Sequence, residues 1–275
     1  MKLNAITNRI ATKAPSGTWR SHIKWLMQYR KWKSLVEREY SQRSSAEGPF
    51  TAIIQNYKRP WNMEPVVKAL LATPLVGKVI VSNNNPVCDL GKWFKLKDER
   101  VELIRQPKER STAERFRIAK EIDSEFFLAV DDDLFLRHDQ YQKICDALIK
   151  NPSVPHGVCG QVLNEYGGFN YNIHGTNQEV DGLNRIYAFT KDHLDNFCKM
   201  TKSMGIDDNS EMWSKSLWDD MTISLSGNGK PICLNIGEYL DCPSQGGRSA
   251  AWTQEGFFEF RESFYKKLLV SKELT

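Results

Sequence analysis

The chain has 275 residues, 40% of them hydrophobic, enough to bury a large α/β core and far from disordered or fibrous compositions. With 38 Lys and Arg against 34 Asp and Glu, the net charge is only +4, which gives no ground for nucleic acid as a partner. The charge is unevenly placed: residues 1–49 hold ten Lys or Arg and three Glu, a net +7, leaving −3 for residues 50–275.

The six cysteines form no CxxC or CxxxxC pair and read as thiols of a reducing compartment. No signal-peptide-like apolar run and no stretch of about 18 apolar residues occurs, so a cytoplasmic location is expected.

Residues 18–40 contain no Gly or Pro, and Trp19, Ile23, Leu26, Met27, Trp32, Leu35 and Val36 recur at helical spacing. One amphipathic helix is predicted, with Arg20, Lys24, Arg30, Lys31 and Lys33 on its polar face. Its apolar stripe either packs on the rest of the chain, the commoner fate, or makes a peripheral membrane contact. Residues 41–49 end in Gly48-Pro49 and read as a linker. The basic extension 1–49 is thus set apart from a catalytic domain, 50–275, whose nucleotide-binding half is 50–135 and acceptor-binding half 136–275.

A regular alternation follows. FTAIIQ from Phe50, KVIVS from Lys78, VELIR from Val101 and FFLAV from Phe126 read as strands. Asn62 to Leu71 and Ala113 to Ile122 read as helices. Strands separated by helices mean βαβ units and a Rossmann-like parallel sheet, which binds ligands beyond the carboxyl ends of its strands. Those ends are polar here: Asn56-Tyr57-Lys58-Arg59, Asn83-Asn84-Asn85 and Asp131-Asp132-Asp133. Beyond them come a predicted helix from Asp139 to Lys150 and a more irregular half, with strand candidates at His156 to Val162 and Arg185 to Phe189.

Three successive carboxylates at the end of a buried strand repel one another and call for a positive partner. A hard divalent cation, Mn2+ or Mg2+, suits them, because one or two carboxylates plus phosphate oxygens complete an octahedron. The plainer alternative is a solvated loop or helix cap. A second pair, Asp219-Asp220, precedes a predicted helix at Met221 and reads either as first-turn carboxylates or as a candidate base, nucleophile or electrostatic stabiliser.

The ordered set FTAIIQNYKRP, KVIVSNNNP, ERFR, FFLAVDDDLFL and LWDDMTISL resembles the catalytic domain of the exostosin-like glycosyltransferases over about residues 50–265. The resemblance implies an α/β GT-A fold and a metal-dependent transferase that passes a sugar from a nucleotide-sugar donor, a UDP-sugar, to a glycan or glycolipid acceptor with retention at the anomeric carbon. Polysaccharide biosynthesis is the implied setting. It puts Gln55, Tyr57 and Arg59 beside the nucleotide, Asn84 near the uracil or ribose, and Arg115 and Arg117 near the diphosphate. Asp131 and Asp132 face the ribose and sugar, Asp133 and Asp131 hold the metal, and Asp220 with Asp219 acts at the reacting carbon. Glu114 stands where the family has Asn, and Trp252-Thr253-Gln254 where it has Trp-His-Arg; Arg248 is the candidate replacement for the missing positive charge. Two other readings stay open: a nucleotidyl or phosphoryl transferase, which lacks a Gly-rich phosphate cradle here, and an inactive carbohydrate- or membrane-binding protein.

Overall fold

The computed structural model describes residues 19–42, 48–166, 168–207, 210–215, 217–243 and 251–273. Arg248 and most of the expected linker lie outside these residues.

Helix α1 (Trp19–Ser41) leads into β1 (Phe50–Asn56), α2 (Pro60–Leu71), β2 (Val76–Asn83), β3 (Val101–Arg105), α3 (Glu114–Lys120) and β4 (Phe126–Val130). Then come β5 (Leu134–Phe135), α4 (His138–Lys150), β6 (His156–Leu163), β7 (Phe169–Ile173), β8 (Gln178–Glu179) and β9 (Gly182–Thr190). The chain ends with α5 (Lys191–Ser203), α6 (Glu211–Ser214), α7 (Asp219–Ser224), β10 (Ile232–Cys233), β11 (Leu240–Asp241) and α8 (Phe257–Glu273). The main sheet runs β3-β2-β1-β4-β9-β6-β10-β8, with β7 on β6. Its first four strands are parallel, as the βαβ pattern predicted; β9 is antiparallel to both β4 and β6, so the second half makes the sheet mixed.

Strand β4 is apolar throughout, and β1 is apolar but for Thr51 and its polar end Gln55-Asn56, because both sheet faces are covered, as a central parallel strand requires. Phe50, Ala52, Ile54, Leu128 and Val130 join the core under α1, α2 and α4, while Ile53, Phe127 and Ala129 join the core under α3, α5, α7 and α8. Parallel pairing aligns Asn56 with Asn83 and Ile54 with Val130, so the polar ends of β1, β2 and β4 emerge at one edge. At the opposite edge Gly48 and Gly77 abut, and a Cβ on Gly77 would run into the carbonyl of Gly48.

Helix α1 seats on the first core through Trp32 and Val36 of the predicted stripe together with Trp25 and Tyr29, which lie outside it. Trp25, Tyr29 and Trp32 pack around Phe135, with ring centroids 6.1, 5.0 and 4.9 Å from it. Trp32 and Val36 are buried, each worth about 1.5–3 kcal/mol of transfer free energy. The Trp32 indole donates to the Leu136 carbonyl at 3.0 Å and that of Trp25 to the Asp241 carbonyl at 2.6 Å. Trp19, Ile23 and Met27 face outward instead, because Phe135 and Leu136 meet the helix on the side of Trp25, Tyr29 and Trp32.

Candidate active site

Arg59 is the residue before α2, whose first turn Pro60 pre-sets; its side chain makes no capping bond and turns to the end of β4 instead. Its guanidinium donates to Asp132 Oδ1 at 2.5 Å and lies 3.3 Å from Asp133 Oδ2. Arg115 reaches up from α3, 4% exposed, to donate to Gln55 Oε1 at 3.0 Å and Asp131 Oδ1 at 2.8 Å. It thereby ties β1 to β4. Arg185, on β9, donates to Asp133 Oδ1 at 2.9 Å and to Asp241 Oδ1 at 2.7 Å. Three guanidiniums therefore meet four carboxylates, and the positive partner the triplet requires is supplied by arginine.

The electrostatics follow from burial. Burial opposes the charge on Arg115, but Tyr187, Asp131 and Asp219 outweigh it and push its pKa up. Burial, with Asp133 and Asp131 beside it, lifts the Asp132 carboxyl to about 7 against the pull of Arg59. Its Oδ2 is buried with no hydrogen-bond partner among the described residues, so a proton, cation or ligand donor is wanted there. The Asp132 main chain is fixed by Asn62, whose amide donates to its carbonyl at 2.7 Å.

The second acidic pair opens α7. Asp219 is buried and accepts from the Thr112 hydroxyl at 2.8 Å, on the loop that leads into α3. Asp220 meets Arg261 of α8 through both oxygens, at 2.8 and 3.1 Å. Arg261 also donates to Gln161 Oε1 at 3.0 Å and to the Leu217 carbonyl at 3.1 Å. Arg115 is close enough to Asp131 and Asp219 to feel both charges, which joins the two acidic clusters into one polar centre.

Residues 50–152 match the glycosyl transferase family 64 domain. This part of the chain, under half of it, is similar to a glycosyltransferase domain. The match includes β1 through α4, and with them Arg59, Arg115 and the aspartate triplet, but not Asp219, Asp220, Arg185 or Arg261. No curated protein sequence matches the chain. Among solved structures, GalNAc-T7 with UDP, GalNAc and Mn2+ superposes with TM-score 0.51 at 8% identity, over 82% of this chain and 53% of its own. The chain thus spans about half the length of that relative, and the likeness shows a shared GT-A fold. A 4-diphosphocytidyl-2C-methyl-D-erythritol synthase from Anaerococcus prevotii aligns over 81% of this chain and 97% of its own, at 12% identity and TM-score 0.45. S. aureus TarS (1–349) aligns over 69% and 59%, at 14% identity and TM-score 0.43.

Of the residues singled out in the sequence, the domain brings Gln55, Arg59, Arg115, Asp131, Asp132 and Asp133 into direct contact at the strand ends. Asn84 is buried nearby, accepting from the Ser82 hydroxyl at 2.7 Å and donating to the Ser111 carbonyl at 2.9 Å. The Tyr57 hydroxyl bonds Glu109. Arg117 is not brought to the triplet: it pairs with Glu114 and lines a groove of about 800 Å³ with Phe50, Lys78 and Glu125, at the amino ends of the strands. Glu114 has no exposed side-chain surface and lies between Arg117 and, at 3.9 Å, Arg110. Its charge is answered within the protein.

Sequence reasoning missed Arg185, Asp241, Asn62, Thr112 and Arg261. Arg261 carried a signal, since Phe257, Arg261, Phe264 and Leu268 recur at helical spacing with an arginine inside the apolar stripe. Arg185 is the one non-glycine with positive φ, 66°, among the described residues.

Proposed function

We propose that the chain is an exostosin-like glycosyltransferase that moves a sugar from a UDP-sugar to a carbohydrate or glycolipid acceptor, using Mn2+ or Mg2+ and retaining the anomeric configuration. The observation that supports this most is the arginine–aspartate cluster at the carboxyl ends of β1 and β4, inside the segment matching a glycosyltransferase domain. Switch-point edges of α/β sheets are where such folds bind nucleotides.

The donor set suits a cation that arrives with phosphate. Among the described residues no three His, Cys, Asp or Glu side chains are placed to hold a metal ion by themselves, so phosphate oxygens of the donor would have to complete its coordination. The unpartnered Asp132 Oδ2 shows acceptor capacity in reserve. Asp133 and Asp131 are the proposed ligands, with Asp133 exchanging its Arg59 and Arg185 contacts for the ion, and the GalNAc-T7 structure, solved with UDP and Mn2+, supports a metal in this fold. When bound, the cation would neutralise charge on the leaving diphosphate.

The chain's own groups do the rest. Arg59 and Arg115 are already fixed beside the triplet and offer guanidinium donors to the diphosphate, a preorganised form of charge stabilisation. Gln55 and Asp131 hold Arg115 in place for that role. Asp220, held through both oxygens by Arg261, is the carboxylate proposed to face the reacting sugar carbon. No disulfide joins the six cysteines, which suits work in a reducing compartment such as the cytoplasm.

Calorimetric titration of UDP tests the reading. Binding is expected with Mn2+, and loss of binding with EDTA or in folded Asp133→Ala. No UDP binding to the wild-type chain under either condition overturns it.

A further inference from the structure

Helix α1 has two apolar faces. One, formed by Trp25, Tyr29, Trp32 and Val36, packs on the core; the other is unused. Trp19, Ile23 and Met27, four residues apart, are 78%, 36% and 56% exposed and form one row along the outer side. Lys24, Arg30, Lys31 and Lys33 are also exposed, and no acidic residue precedes Glu37 in the helix. An exposed apolar row headed by tryptophan, with only cations among the charged residues up to Glu37, is the pattern of a helix lying in the plane of an anionic lipid surface. No helix among the described residues is long and apolar enough to cross a membrane. A second copy of the chain fits this face poorly, since an isologous contact would set like charges against each other.

We propose that α1 docks the protein on an anionic membrane surface through Trp19, Ile23 and Met27, with Lys24, Arg30 and Lys31 pairing with lipid headgroups. The helix is tied to the candidate site by a short path. Trp25 donates to the main chain of Asp241, whose carboxylate pairs with Arg185, which holds Asp133. Docking would therefore hold the candidate site near the bilayer, where a lipid-linked acceptor presents its glycan. Membrane binding does not depend on the glycosyltransferase reading; the lipid-linked acceptor does, and UDP calorimetry tests that reading separately.

Co-sedimentation of the full chain with vesicles of phosphatidylcholine, with and without phosphatidylglycerol, gives the test. The wild-type chain is expected to sediment with the anionic vesicles and to be released by high salt. Two variants, W19S/I23S/M27S and K24E/K31E, change only exposed positions, and unchanged circular dichroism verifies their fold. Each is expected to lower the bound-to-free ratio by about tenfold or more. Failure of the wild-type chain to bind anionic vesicles overturns the proposal, as does wild-type binding by both variants. A concentration-dependent dimer lost in W19S/I23S/M27S, without vesicle binding, also overturns it and assigns the row to self-association.

Discussion

Arg185 holds Asp133 and Asp241 from a backbone conformation that L residues seldom adopt. Strain of this kind, of order 1–3 kcal/mol, survives where surrounding contacts over-determine it, and here two carboxylates do so. Asp219 carries a different cost. Burial first, and Asp220 second, raise its carboxyl to about 6, so ionising it penalises the folded state. The sign is fixed by the raised value: this group's contribution to stability declines as pH climbs from about 4 to beyond 6. Asp219→Asn keeps an acceptor for the Thr112 hydroxyl and removes the penalty. Its unfolding free energy should exceed that of wild type near neutral pH by an amount on the order of 2 kcal/mol, read as a higher thermal midpoint, and the gap should close at about pH 4. Arg261→Ala should act in the opposite direction, since it strands Asp220 and Gln161; a loss of about 3 kcal/mol in denaturant unfolding is expected. Arg261→Lys should recover part of that stability but not turnover, because an ammonium cannot hold both Asp220 oxygens in one plane. Initial-rate assays on both variants check this. At this scale the sequence was partly readable. An acidic triplet after FFLAV announces itself, because burying three carboxylates needs a reason. Arg185 does not, because one basic residue in a strand pattern looks like any solvent-facing position until the opposing strand is known.

Elements with strong periodicity were legible almost to the residue. VELIR has the bounds of the edge strand β3, and FFLAV those of the central strand β4, since an uninterrupted apolar run leaves a central strand few alternatives. Helices α5 and α8 escaped. Lysines and aspartates dilute KDHLDNFCKMTKS, and its start is set by Thr190, which caps the His193 amide through its side chain. That cap also ends β9, so a single residue marks both boundaries. Strand β7 escaped because its apolar run is short and it pairs only with β6. On α1 the helix was legible but the seated face was not: two apolar rows compete in the sequence, and the aromatic socket at Phe135 chooses between them. The entry to β1 depends on a close approach instead. Gly77→Ala should cost about 1–3 kcal/mol, because the added methyl meets backbone at Gly48 that no side-chain rotation can clear. A lowered urea midpoint with an unchanged slope is the expected reading.

For the whole molecule, the two sheet faces bury separate cores, and α1 completes the first of them. Trp32→Ala should therefore lower global stability by about 3–5 kcal/mol while unfolding remains a single transition by fluorescence and circular dichroism. A separate early transition of α1 would contradict the shared core. The basic charge of the first 49 residues thus includes a helix that belongs structurally to the sheet. The halves of the main sheet meet at β4 and β9, where Val130 pairs with Ile186 and the Asp131 amide donates to the Arg185 carbonyl at 3.2 Å. Alternation along a strand has period two, so this joint also works as a ruler for inherited length changes. One inserted residue within 182–190 would turn Arg185 from the aspartates and exchange core for surface along β9. The turn at 174–177, between β7 and β8, can lengthen or shorten without that penalty. Lineages of this domain should therefore differ in the turn and agree in the strand.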